Sequence, residues 1–322
     1  MAEAPGMRAV QYDTYGPPEV LRVRTVPLPE VRAGEVLVRA AAASVNAADV
    51  TVRSGGLRLL SGRTFPRGTG FDFTGDIIRV GDGAGGFAVG DGVWGFLDGL
   101  RARPCAAAAQ YVLAPAERLS ARPHTLDPVT AAALPGVGAA ALGALRDAAR
   151  LRPGHRVLIR GAAGGVGTAA VQIAHAMGAH VTALARAPHL DAVRELGADD
   201  AFDYRTTDPH GLGRFDVILD PVGRDLRSYR RLLTPGGRMI AMIVAGAGQA
   251  AYLVASAVHG PRRVRFVQQP PTRRLLTDLA TLADTGAVVP VIESIYAMDD
   301  IVAAHRSLET GGGFGKRVIR TA

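Results

Sequence analysis

Two hydrophobic patterns divide this chain near Asp127. Before it, short stretches such as MRAVQYD (7–13) and VLVRAAAASV (36–45) read as strands. GPPEVL, VRAGE and VGDGAGGFAVGD separate them, and their Gly, Pro and Asp content marks turns. Regularly spaced short strands of this kind predict a compact β-barrel-like domain. After Asp127, apolar strands alternate with amphipathic helices: RVLIRG, the helix GVGTAAVQIAHAMG, HVTALA, the helix HLDAVRELG, DAFDY, FDVILDPV, the helix RDLRSYRRLL and GGRMIAMI. That alternation predicts a parallel sheet covered on both faces. Beyond about Pro261 the pattern is mixed again, with RVRFVQQ, the helices TRRLLTDLATLADTG and MDDIVAAHRSLETG, and a last strand KRVIRT. This tail is expected to return to the first domain. The expected division of this α/β chain is 1–126 with 263–322, and 127–262.

Composition narrows the function classes. At 322 residues, 48% hydrophobic and 20% charged, the chain has apolar material for a sizeable core. The segment MAEAPGMRAV carries no apolar stretch of the secretory kind, and AAALPGVGAAALGAL (131–145) is broken by proline and glycine. A cytoplasmic location and no membrane partner are expected. The single cysteine, Cys105, excludes an internal disulfide and a multi-cysteine zinc lobe. The net charge of +8 is spread over the chain rather than gathered in a basic tail, and Lys316 is the only lysine, which argues against a nucleic-acid partner. The densest run, Arg224, Arg227, Arg230 and Arg231, fits a solvated helix face.

The segment GAAGGVG (161–167) sits between the apolar run RVLI and the helix TAAVQIAHAM. Strand, glycine loop and helix stand in the order of a dinucleotide fold. Gly164 and Gly167 take the second and third glycines of G-x-G-x-x-G, and Ala162 the first. The middle glycine lets backbone amides approach a pyrophosphate, and the last lets the helix pack on the strand. The candidate cradle is therefore Ala162, Gly164, Gly165, Val166 and Gly167. At the end of the second strand an NAD site calls for a carboxylate and an NADP site for a cation. VTALARAPHLD offers Arg186 there and no carboxylate before Asp191, so NADP (NADPH) is the expected cofactor.

Several stretches together carry a resemblance: MRAVQYDTYGPPEVL, VLVRAAAASVNAADVTVRSG, FPRGTGFDFTGDIIRVGDGAGGFAVGDGVWG, LRPGHRVLIRGAAGGVGTAAVQIAHAMGAHV, ELGADDAFDY and GGGFGKRVI. From Met7 to Arg320 the chain resembles the zinc-free branch of the medium-chain dehydrogenase/reductases, the quinone oxidoreductase (zeta-crystallin)-like proteins. The resemblance implies a GroES-like β-barrel catalytic domain and a Rossmann doubly wound parallel-sheet domain inserted in it, with NADPH in the cleft between. It also implies a homodimer paired through an edge strand of the Rossmann sheet, for which GGRMIAMI (236–243) is the candidate. Zinc members of the wider family hold their metal with Cys, a Gly-His-Glu and a further Cys or carboxylate. The matching stretch here is Gly70-Phe71-Asp72, so no metal site is expected.

The resemblance places Asn46 and Asp49 beside the nicotinamide, where they would orient a substrate carbonyl or a water. The same pair also reads as an N-cap and N3 acid opening a short helix, and the two readings are compatible. Enoyl reductases of the family often carry a tyrosine shortly after this pair. Thr51 and Leu57 stand in those places, leaving Thr51, Ser54 or water as the proton source. Tyr204 and Lys316 resemble residues that flank the adenosine phosphate and the cofactor. DPVG, containing Val222, lies at the carboxyl edge of the fourth Rossmann strand, and Ile243, Phe266 and Gln268 are expected to border the nicotinamide. Asp220 reads as a turn cap. The expected activity is NADPH-dependent, zinc-independent hydride transfer to a quinone or α,β-unsaturated carbonyl. An enoyl-thioester reductase, and an NADPH-binding sensor or nucleic-acid binder with little catalysis, remain the alternatives.

Overall fold

A computed structural model describes residues 6–97, 104–243, 248, 252–253, 255–256, 263–267 and 270–321. It separates into two compact units, Met1–Gly136 with Pro270–Thr285 and Pro290–Ala322, and Val137–Gln269 with Gly286–Val289. The chain opens with β1 (Gly6–Tyr12), β2 (Arg22–Pro27), β3 (Glu35–Val45), α1 (Ala47–Arg53), α2 (Arg58–Ser61) and β4 (Arg67–Gly68). There follow β5 (Asp72–Val80), β6 (Gly92–Phe96), β7 (Tyr111–Pro115), β8 (Leu119–Ala121) and α3 (Pro128–Ala131). The long β3 is the organising strand, pairing antiparallel with β5 and with β7. Its inward positions Val36, Val38, Ala40 and Ala43 join Phe73, Ile77, Val93 and Leu119 in one buried cluster. Burial of such alternating apolar side chains is the main favourable term holding the sheet together.

The second unit takes over within α4 (Pro135–Leu142) and continues with β9 (Arg156–Ile159), α5 (Gly165–Ala176), β10 (His180–Ala185), α6 (Leu190–Glu195) and β11 (Asp200–Asp203). Next come β12 (Phe215–Asp220), α7 (Leu226–Arg230), β13 (Leu233–Ala241) and β14 (Arg263–Phe266). These six strands form one parallel sheet in the order β11-β10-β9-β12-β13-β14, a doubly wound arrangement whose order reverses at β9. Gly167 allows α5 to seat on the sheet. A Cβ there would overlap the Gly161 carbonyl and stand 2.6 Å from the Ala162 Cα.

The tail holds α8 (Arg273–Asp284), β15 (Ile292–Ala297), α9 (Ile301–Thr310) and β16 (Lys316–Arg320). As the mixed pattern predicts, it rejoins the first unit: β16 lies antiparallel to β3, with Arg317 opposite Val45 and Val318 opposite Ser44. Two expectations need correction. Strand 263–266, assigned from sequence to the first domain, pairs with β13 in the parallel sheet, Arg238 opposite Arg263, so the second unit extends to Gln269. GGRMIAMI, taken as the exposed edge, is an interior strand with β12 on one side and β14 on the other. Its apolar character follows from that, since Met239, Ile240 and Ala241 are fully buried. No helix among the described residues is long and apolar enough to cross a membrane.

The tail also anchors α1 from below. Arg53, completely buried, donates to the Gly16 carbonyl and pairs with Glu309 of α9. Beside it on α9, His305 is buried in its neutral form, its pKa pushed down to about 3 by desolvation and by the neighbouring Arg53 charge.

Two predictions follow from this packing. Gly167→Ala should destabilise the protein by about 1–3 kcal/mol through overpacking. Gly164→Ala should stay within about 0.5 kcal/mol, because a Cβ at Gly164 meets nothing closer than the Gly161 carbonyl at 3.4 Å. Equal urea midpoints for the two variants would contradict the packing. The second concerns acid. Between pH 6.5 and about 3 the unfolded chain binds a proton at His305 that the folded chain refuses. Stability should therefore fall as pH is lowered through that window, by about 1.4 kcal/mol per pH unit from this residue. His305→Gln should flatten the dependence; an unchanged slope would remove His305 as its source.

Candidate active site

In the first unit the polar residues gather where β3 ends and α1 begins. Asn46 is the N-cap of α1, with extended backbone, and Asp49 occupies N3. The Asp49 Oδ2 accepts from the Asn46 backbone N–H at 2.8 Å, closing the reciprocal half of a capping box. Its Oδ1 accepts from the Gly70 N–H at 2.8 Å. Asp49 is buried, and desolvation pushes its pKa up to about 6 against the pull of these two amides. The capping reading of the two residues is therefore met by the geometry.

Around this cap lies a closed network. The Asn46 Nδ2 donates to Asp49 Oδ2 at 3.3 Å and to Asp72 Oδ2 at 3.1 Å. The same Asp72 oxygen accepts from the Ser44 hydroxyl at 2.5 Å and from the Lys316 ammonium at 3.5 Å. Lys316 also donates to the Val45 carbonyl at 3.0 Å and to Asn46 Oδ1 at 2.6 Å. Burial lowers the Lys316 pKa, and the Asp72 and Asp49 charges oppose that shift. The other Asp72 oxygen is buried with no hydrogen-bond partner. Gly136 keeps space beside it, since a Cβ there would overlap Oδ1 and press on Phe96. Phe96 in turn stacks on Phe71, ring centroids 5.5 Å apart.

The structure adds to the sequence reading here. Lys316, placed beside the cofactor by resemblance, directs its ammonium inward. Thr51 is exposed, and its hydroxyl donates to the Ala47 carbonyl one turn back at 2.8 Å. Asp72 had registered only as the site of an absent histidine, and Ser44 not at all. The available signal for Asp72 was a single carboxylate between Phe71 and Phe73 at the start of an apolar strand.

In the second unit the glycine loop turns at Gly161, whose φ is +61°. Ala162 is buried, and its N–H bonds the Leu184 carbonyl. Gly164 caps α5, and the first intrahelical bond runs from Thr168 N–H to the Gly164 carbonyl. The amides of Gly165, Val166 and Gly167 therefore have no carbonyl within the helix. The open space at Gly164 lies over them, where a side chain would intrude, and this cradle suits a diphosphate.

Arg186 follows β10 directly, and its Nε donates to the Tyr204 hydroxyl at 3.4 Å. Tyr204, half exposed just after β11, has its pKa lowered by the Arg186 hydrogen bond first, with Arg205 adding to it. Arg205, which the sequence did not single out, thus joins the pair. At the end of β12, Asp220 is buried and caps its own turn through Val222 N–H (2.8 Å) and Gly223 N–H (3.0 Å), while pairing with Arg160 at 2.6 Å. Val222, Ile243 and Phe266 are each more than a third exposed at the carboxyl ends of β12, β13 and β14. This apolar strip, with the cradle and the cationic corner, fits the parts of a pyridine dinucleotide. Gln268 lies outside the described residues.

Comparison with known proteins agrees with this architecture. Residues 32–124 match the family model described as the alcohol dehydrogenase GroES-like domain, and residues 196–319 the one described as zinc-binding dehydrogenase. The donor set does not suit the metal in that second description. Among the described residues no three His, Cys, Asp or Glu side chains come together to hold an ion, and Asp49 and Asp72 are already engaged by amides and an ammonium. The human mitochondrial NAD(P)H oxidoreductase RTN4IP1 is 32% identical over 97% of this chain and 89% of its own. A 2-methylene-furan-3-one reductase from Solanum lycopersicum is 31% identical over 97% of this chain and 79% of its own. The quinone oxidoreductase structure from Coxiella burnetii superposes with a TM-score of 0.90 at 28% identity, covering 99% of this chain and all of that one. A dinucleotide cradle on a doubly wound sheet, an antiparallel unit completed by the returning tail, and relatives matched nearly end to end make the chain an oxidoreductase of the quinone oxidoreductase-like branch of the medium-chain dehydrogenase/reductases.

Proposed function

We propose that the chain is an NADPH-dependent reductase that passes hydride to a quinone or an α,β-unsaturated carbonyl. The observation that carries the cofactor choice is the corner at the ends of β10 and β11: a guanidinium, Arg186, follows β10 where an NAD site would offer a carboxylate, with Tyr204 hydrogen-bonded to it and Arg205 beside them. Two relatives named for a quinone and for a methylene furanone support the acceptor class.

When bound, NADPH supplies the hydride. The amides of Gly165, Val166 and Gly167 hold the diphosphate, with Ala162 and Gly164 keeping the approach clear. Arg186, Tyr204 and Arg205 take the 2′-phosphate, and Val222, Ile243 and Phe266 shield one face of the ring from water. Asn46, held by Asp49, Asp72 and Lys316, forms part of the polar lining of the first unit. Its two amide protons are already directed at carboxylates, and the hydroxyls of Thr51 and Ser54 at the backbone carbonyls of Ala47 and Thr51. The proton that completes the reduction therefore comes from water.

Following NADPH oxidation with a panel of quinones, enones and a crotonyl thioester tests the reading. Turnover with quinone or enone is expected, and none with any acceptor would overturn it. Arg186→Glu should weaken NADPH by about 10- to 100-fold, the worth of a charge-assisted contact, and NADH by less than about 3-fold. Equal losses for both nucleotides would remove Arg186 from the 2′-phosphate.

A further inference from the structure

We propose that Lys316 is a positioning residue that fixes the orientation of the Asn46 carboxamide, rather than a cation that contacts the nucleotide. The proposal rests on the reductase reading above. Lys316 is the only lysine among 37 basic residues, and Asn46 is the only asparagine in the chain. The two are hydrogen-bonded to each other at 2.6 Å, though 270 residues apart in sequence. Arginine fills every other cationic position, including the buried Arg53 and Arg67.

What sets position 316 apart is the arrangement of acceptors. The Val45 carbonyl, Asn46 Oδ1 and Asp72 Oδ2 converge on one nitrogen in a site that leaves the residue 4% exposed. An ammonium presents three donors around a point, whereas a guanidinium spreads five in a plane and needs more room. Each of the three protons has an acceptor inside the unit. The ammonium has no donor left for a phosphate, and its side chain is only 5% exposed.

The same bonds decide which way the Asn46 amide points. Its oxygen faces the ammonium, and its nitrogen faces two carboxylate oxygens. Turned by half a rotation, it would set N–H against ammonium N–H and oxygen against both carboxylates, losing three hydrogen bonds at once. Without Lys316 the amide oxygen loses its ammonium partner, and the two bonds from Nδ2 to Asp49 and Asp72 are left to hold the orientation.

Because the chain has one asparagine, asparagine-selective 15N labelling gives a single side-chain amide signal, readable without any turnover. In the wild type its exchange with water should be slowed at least about tenfold, and Lys316→Met should reduce the protection. Lys316→Met and Asn46→Ala should each lower kcat by about 10- to 100-fold, as misorientation does, and the double variant should be no worse than either alone. The NADPH Kd of Lys316→Met should stay within about 3-fold of wild type, a change of less than 0.7 kcal/mol. A Kd weakened by about 100-fold with kcat preserved would make Lys316 a nucleotide contact and overturn the proposal. So would multiplicative kinetic losses, or an unprotected Asn46 amide in the wild type. Should Lys316→Met not fold, the wild-type exchange measurement still decides. If the wild type reduces no acceptor, the reductase reading fails, while exchange and Kd continue to test the positioning role.

Discussion

The ammonium of Lys316, placed against Asp72 inside the first unit, is the interaction on which the site depends. Its side chain is 5% exposed and that of Asp72 is fully buried. A charge taken that far out of water is tolerated only with its partners in place, and removing one partner of such a pair typically costs about 3–5 kcal/mol. Lys316 opens β16, near the end of the chain, and Asp72 opens β5. Both meet at the junction of β3 and α1, which ties the tail to the start of the chain. The antiparallel pairing of β16 with β3 and the Arg53–Glu309 pair under α1 serve the same geometry, bringing the last fifty residues to the first cap.

The two units arrange their polar groups differently. In the parallel unit the ligand-shaped features are gaps: no side chain over Gly164, three helix amides without intrahelical carbonyls, and an exposed apolar strip at Val222, Ile243 and Phe266. In the antiparallel unit the polar groups are nearly all satisfied by one another. Within the cluster at the start of α1, the buried side-chain atom left without a partner is the second Asp72 oxygen. A satisfied network of this kind is stiff and holds the Asn46 carboxamide in place.

Much of this was legible in the residues. The strand–GAAGGVG–helix order and the Arg186 that follows β10 mark the nucleotide side, because a glycine loop and a helix N-terminus act locally. The return of the tail showed in its mixed pattern, though the change of period near residue 262 placed it several residues early. Other features were hidden because they depend on neighbours far away in sequence. GGRMIAMI reads equally well as an edge or an interior strand; only β14, after a long intervening segment, decides it. Asp72 looks like any carboxylate in a strand until Ser44, Asn46 and Lys316 converge on one of its oxygens. Arg205 is one arginine among many until the Arg186–Tyr204 hydrogen bond shows where it stands. The inward direction of Lys316 belongs to the same class, since resemblance carries the residue but not its rotamer.

The most direct measurement is a double-mutant cycle in chemical denaturation on Asp72→Asn and Lys316→Met. If this buried pair holds the end of the chain to the site, each single variant leaves an uncompensated polar group. The double variant should then be more stable than the sum of the single losses predicts, by at least about 1 kcal/mol. Losses that add to within about 0.3–0.5 kcal/mol would show that the two residues act independently, and the account of the site built on them would be wrong.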